Sequence, residues 1–157
     1  MNGTRILLLR HGEKTGDIND VHLSAEGYAR AAKLADYIPA TFGTPQFLIA
    51  TAPSAHSIRP IETITPLSQK TEVPVVAQYA DKHFEPMTAQ LLTDPVYTGA
   101  LVVLCWHHGQ IPNMAAALGA QPGTYPEVWD DLVFNAILDM QYGADGAPAV
   151  TTVTQPF

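Results

Sequence analysis

Arg10-His11-Gly12-Glu13 is the first cluster along the chain whose residue types are suited to catalysis. A second, His107-His108-Gly109, closes the apolar run from Ala100 to Trp106, and Arg59 follows Pro53 and Ser54. A planar guanidinium offers a fork of donors matched to two phosphate oxygens, so two arginines grip a phosphoryl group without a metal. A neutral imidazole beside them attacks phosphorus as a nucleophile. Cations are scarce in this chain, with eight Lys plus Arg against 15 Asp plus Glu and a formal charge of −7. Spending two of four arginines near three histidines is therefore a concentrated use of positive charge.

These clusters need a frame that brings them to one place. Ile6 to Leu9 is a short continuous apolar run, as in a strand buried on both faces. Ser24 offers an N-cap for a helix over Ala25 to Ile38, closed by Pro39. Phe47 to Thr51 reads as a strand, Ser57 to Gln69 as a helix and Val73 to Val76 as a short strand. Glu85 to Leu92 reads as a helix, Ala100 to Trp106 as a strand and Ile111 to Leu118 as a helix. Phe134 to Tyr142 and Ala149 to Thr154 form a hairpin across Asp145-Gly146. Alternating strands and helices predict one α/β domain over residues 1–157. Its architecture is a three-layer α/β/α arrangement with a mainly parallel central sheet and a C-terminal β-hairpin. In such sheets ligands bind beyond the carboxyl ends of the strands, where both His clusters fall.

The residues resemble a known family at this point. Leu9-Arg10-His11-Gly12-Glu13 is similar to the signature of the histidine phosphatase superfamily, the phosphoglycerate-mutase-like proteins. Leu23-Ser24-Ala25-Glu26-Gly27 resembles the family's Leu-Ser-x-x-Gly, and Arg59-Pro60-Ile61-Glu62-Thr63 its second arginine element. Val102 to Gly109 resembles the strand that ends in the second catalytic histidine. The resemblance implies that His11 is the nucleophile, carrying a transient phosphohistidine. It implies that Arg10, Arg59 and His108 surround the phosphoryl oxygens. His108 is preferred to His107 because Gly109 follows it and because adjacent residues of an extended chain point to opposite sides. Glu85 lies near the position where mutase-like members keep their proton donor. Its other reading is a solvated glutamate favoured at a helix N-terminus, and Glu13 and water are further proton sources. Where many members have an asparagine, this chain has Asp17, with Asn19 two positions on. His22, His56 and His83 read as surface or capping residues, and Tyr125, Trp129 and Phe134 as core packing.

The function these residues imply is a metal-independent hydrolase, a phosphatase of histidine-acid type. Its substrate is a phosphomonoester or phosphohistidine on a small molecule or phosphoprotein, and it needs no cofactor or metal. The alternatives are a phosphoglycerate-mutase-type phosphoryl transferase, a metallohydrolase, and a non-catalytic phosphoryl-binding module. The short stretch between Arg59 and His108 leaves little room for the closing segment that family mutases carry. Two arginines would repel a divalent cation, which counts against a metal site. The charge of −7 counts against a nucleic-acid partner. The single cysteine, Cys105, excludes an internal disulfide and fits a soluble, cytoplasmic protein. No apolar run approaches the ~18 residues of a membrane span.

Overall fold

The computed structural model describes residues 1–157. Six strands form one sheet: β1 (Arg5–Arg10), β2 (Phe47–Thr51), β3 (Val75–Tyr79), β4 (Leu101–Trp106), β5 (Ala136–Gln141) and β6 (Ala149–Thr154). Four helices accompany them: α1 (Ala25–Phe42), α2 (Arg59–Thr71), α3 (Glu85–Thr93) and α4 (Ile111–Ala117). The strand order is β3-β2-β4-β1-β5-β6. β3, β2, β4 and β1 pair in parallel, whereas β5 runs antiparallel to both β1 and β6. The sheet is thus mixed where a mainly parallel one was expected, because the hairpin adds β5 in reverse beside β1.

The apolar runs are continuous because each inner strand is covered on both sides. Ile6 and Leu8 of β1 join Val102, Leu104 and Trp106 of β4 in a core with Met87, Leu91, Ile111 and Met114 of α3 and α4. Leu7 and Leu9 join Val103 and Cys105 in a second core with Leu34, Ile38, Ile64 and Leu67 of α1 and α2. This is the expected three-layer arrangement. No helix is long and apolar enough to cross a membrane.

Element boundaries move where prolines and side-chain bonds intervene. Pro39 does not close α1; the helix runs a further turn to Phe42, and Gly43 caps it by donating to the Pro39 carbonyl. A proline removes one intrahelical donor and strongly disfavours, without forbidding, a helical residue before it. β3 starts at Val75 because Pro74 precedes it, and Glu72, in the left-handed region at φ 59°, ends α2. α2 starts at Arg59, two residues later than expected. Ser57 forms a turn with Ser54 before it and accepts from the Arg59 amide. β5 starts at Ala136, which frees Phe134 from the sheet.

Candidate active site

β1 and β4 lie in register, Arg10 opposite Trp106, so the next residue of each chain is a histidine. The His11 amide donates to the Trp106 carbonyl at 3.1 Å. Leu7 and Leu9 face the α1–α2 layer, and His11 continues that parity, as His107 does after Val103 and Cys105. The two rings meet edge to face with centroids 5.2 Å apart. His107, where His108 was expected, is thus the ring that meets His11. His108 is half-buried one step further on and makes no ring contact with His11. The shared register was the signal: both histidines are the first residue past their strand.

The His11 Nδ1–H donates to the Gly12 carbonyl at 2.7 Å, which leaves Nε2 unprotonated. Burial pushes the His11 pKa down to about 3, with His107, Arg10 and Arg59 adding to the shift. Burial likewise lowers His107, to about 4, with Arg59 the largest neighbouring charge. At neutral pH both rings are uncharged, and His11 holds a lone pair on Nε2.

Gly12 is pinned from two sides. Its amide donates to Thr63 Oγ1 at 2.9 Å, and that hydroxyl donates to the Arg59 carbonyl. A Cβ on Gly12 would stand 3.0 Å from the Gly27 backbone, and one on Gly27 would stand 2.3 Å from the Glu13 carbonyl oxygen. The loop after His11 and the first turn of α1 touch backbone to backbone, and only glycine permits it. Ser24 caps α1 by accepting from the Gly27 amide, and its own amide donates to the Glu13 carbonyl. The Glu13 carboxylate is taken by Arg30 in a bidentate pair. Glu62 accepts from His22 Nδ1, the Leu23 amide and the Tyr28 hydroxyl, tying α2 to the loop before α1.

Arg10 is 1% exposed. One terminal nitrogen, Nη1, donates to the carbonyls of Asp131 and Val133, while Nε and Nη2 are buried without any acceptor. Burial lowers its pKa to about 10, so it stays charged at neutral pH. Arg59, the first residue of α2, is held by donation to the His22 and Asp20 carbonyls. It lines an open cleft in two lobes. One lobe, about 500 Å³, also takes His56, Asp81, Lys82, His83 and His107. The other, about 480 Å³, takes Lys14, Asp17, Ile18 and again His56.

Two sequence expectations shift at this cleft. Glu85 stands exposed at the start of α3 and does not line it; Asp81, four residues earlier, does. Asp81 Oδ1 is buried without a partner, and burial raises the carboxyl pKa. Sequence gave no helical or strand pattern to single Asp81 out, because it sits in the turn after β3. His56 and His83, read as surface residues, are exposed and still form the rim. His22 is also exposed and is bound to Glu62. Trp129 is in the core, as expected, and Tyr125 packs against that core; Phe134 instead lies against Arg10 and His11. Asp17 accepts from the Asn19 amide and shapes its loop.

No family model matches the chain, and no curated protein matches it. Solved structures do match it in shape. The protein histidine phosphatase SixA with tungstate is 16% identical, with a TM-score of 0.69 over 96% of each chain. A mycobacterial glucosyl-3-phosphoglycerate phosphatase with inorganic phosphate is 15% identical, with a TM-score of 0.62 over 98% of this chain and 97% of that one. Phosphoglycerate mutase from Plasmodium falciparum is 15% identical, with a TM-score of 0.62 over 94% and 87%. Identity that low speaks for shape, and the shape is plain: this chain has the phosphoglycerate-mutase-like fold.

Proposed function

We propose that residues 1–157 act as a single-domain, metal-independent phosphatase that hydrolyses a phosphomonoester or phosphohistidine through a phosphohistidine on His11. One observation carries this most: a buried, charged Arg10 with two donors and no acceptor, next to an imidazole whose Nε2 is free. Each unmatched buried donor costs about 1–3 kcal/mol, and a phosphoryl group supplies the missing acceptors. His11 Nε2 gives its electron pair to phosphorus as the bond to the leaving oxygen breaks. Arg10, Arg59 and neutral His107 stabilise the charge spread over the equatorial oxygens. The Asp81 carboxyl gives its proton to the leaving oxygen. Water then attacks phosphorus, Asp81 takes the released proton, and the P–N bond breaks to restore His11. His108 and Glu85, neither of which lines the cleft, take no step.

Hydrolysis is favoured over a mutase reaction because the cleft is open and its lining holds only Ala80 and Ile18 as apolar residues. Water reaches the phosphoenzyme, and a phosphorylated small molecule or protein side chain has access. The fold neighbours named above include two phosphatases and one mutase. A cytoplasmic location belongs to the same proposal, supported by the buried free thiol of Cys105.

The leaving-group proton gives the test. Asp81→Asn is expected to slow the single-turnover phosphorylation from an alkyl phosphate by about 10²-fold. It should scarcely change the rate from p-nitrophenyl phosphate, whose phenolate leaves unaided. Glu85→Gln should change neither rate. A uniform loss on both substrates in Asp81→Asn, or a selective loss in Glu85→Gln, would overturn the assignment of the acid.

A further inference from the structure

The mechanism above leaves the aromatic ring beside Arg10 and His11 without a task. The Phe134 ring lies 3.8 Å from the guanidinium carbon of Arg10 and tilts over His11 at 6.3 Å. The backbone just before it is fixed. The Val133 carbonyl accepts from Trp129 Nε1 at 2.9 Å, and Trp129 is buried in the core. The same carbonyl and that of Asp131 accept from Arg10 Nη1, at 3.3 and 2.6 Å. The segment 131–134 thus touches the guanidinium twice, at one edge with carbonyls and on one face with a ring.

What remains free on Arg10 is a single adjacent pair of donors, Nε and Nη2, both buried and unmatched. That pair is the edge with which a guanidinium binds an oxyanion bidentately. A long, rotatable side chain does not keep such an edge unmatched by itself. The carboxylates of Asp130 and Asp131 act on the same charge, and both residues are exposed at the surface. Turning toward them would match the donors and abandon the site. An aromatic face attracts the guanidinium and lies flat against it, which opposes rotation out of plane.

We propose that Phe134 is the positioning residue that locks Arg10, through ring-on-guanidinium stacking, with its Nε–Nη2 edge reserved for the substrate phosphoryl group. This rests on the site being a phosphoryl site, and it deepens that assignment. Phe134 acts through Arg10 and donates nothing to the reacting atoms. A tyrosine or tryptophan in its place keeps the π face, whereas a leucine keeps apolar cover and loses the attraction.

The test uses the full chain carrying Phe134→Leu, Phe134→Tyr or Phe134→Trp. Two readouts independent of turnover are taken: calorimetric binding of inorganic phosphate, and exchange of the Arg10 Nε–H with water by ¹⁵N NMR in the absence of phosphate. F134L is expected to weaken phosphate binding by about 3- to 30-fold and to speed Arg10 exchange, leaving Arg5 and Arg30 unchanged. F134Y and F134W are expected to stay within about threefold of wild type in both. Wild-type behaviour of F134L, or equal losses in F134L and F134Y, overturns the proposal. If F134L fails to fold, Phe134→Met replaces it in the same comparison. Absence of phosphate binding in the wild type would overturn the phosphoryl-site assignment itself, while Arg10 exchange would still report whether the ring holds the guanidinium.

Discussion

His11 owes its chemistry to one hydrogen bond and to burial. The Gly12 carbonyl fixes the proton on Nδ1, and exclusion from water keeps the ring neutral, so Nε2 keeps its lone pair for the proposed attack on phosphorus. His107 shares this setting and His108 does not. His107→Ala is expected to lower kcat/KM by about 10²–10³-fold, the cost of removing a positioned transition-state donor. His108→Ala should cost less than about tenfold, and kinetics on any accepted phosphoester decide between them. Arg10, His11 and Arg59 stood out in the sequence because residue type and strand-end position agreed. Which of the neighbouring histidines meets His11 was not legible, since it depends on which residue is first past a strand, and strand ends are blurred in sequence. Asp81 was illegible for a different reason. A carboxyl in a turn looks solvated until the fold buries one of its oxygens.

At the scale of elements, the motif residues outside the proposed phosphoryl contacts are the joints. Thr63 ties α2 to Gly12, Glu62 ties α2 to the loop before α1, and Gly12 and Gly27 let that loop lie against the first turn of α1. Arg30 of α1 spans from Glu13 to Gln155 and the Phe157 carbonyl, so the segment after β6 braces the loop after His11. Gly27→Ala sets a methyl 2.3 Å from the Glu13 carbonyl oxygen, and backbone must yield there. It is expected to destabilise the fold by about 1–3 kcal/mol and to lower kcat more than it raises KM. Urea unfolding and steady-state kinetics check both. The inner strands were legible as apolar runs because both faces are covered. The reversed direction of β5 was not, because periodicity carries no strand direction. Phe134 was counted with the core because the apolar alternation runs on past the point where the Val133 carbonyl is used by Trp129 and Arg10 instead of the sheet.

For the whole molecule, the layered fold places uncharged imidazoles in a chain of charge −7, and this has a thermodynamic consequence. In the unfolded chain His11 and His107 take up protons near pH 6.5. Folded, they resist until about pH 3 and 4. The unfolded state therefore binds more protons between those limits, and stability falls as pH falls below 6.5. At pH 5 each imidazole is expected to cost on the order of 1–2 kcal/mol relative to pH 7. Urea midpoints should drop between pH 7 and 5, and by less in a His11→Asn, His107→Asn double variant. Equal slopes in the two proteins would mean that neither ring is held neutral by the fold.

Covalent capture tests the central claim most directly. The purified protein is mixed with a ³²P-labelled phosphoester it hydrolyses, quenched within milliseconds in denaturant at alkaline pH, and digested for peptide mapping. The label is expected on His11, stable to base and lost in mild acid, and absent from His11→Ala, which should be folded and inactive. Full turnover by folded His11→Ala, or label on any other residue of the wild type, would contradict the account.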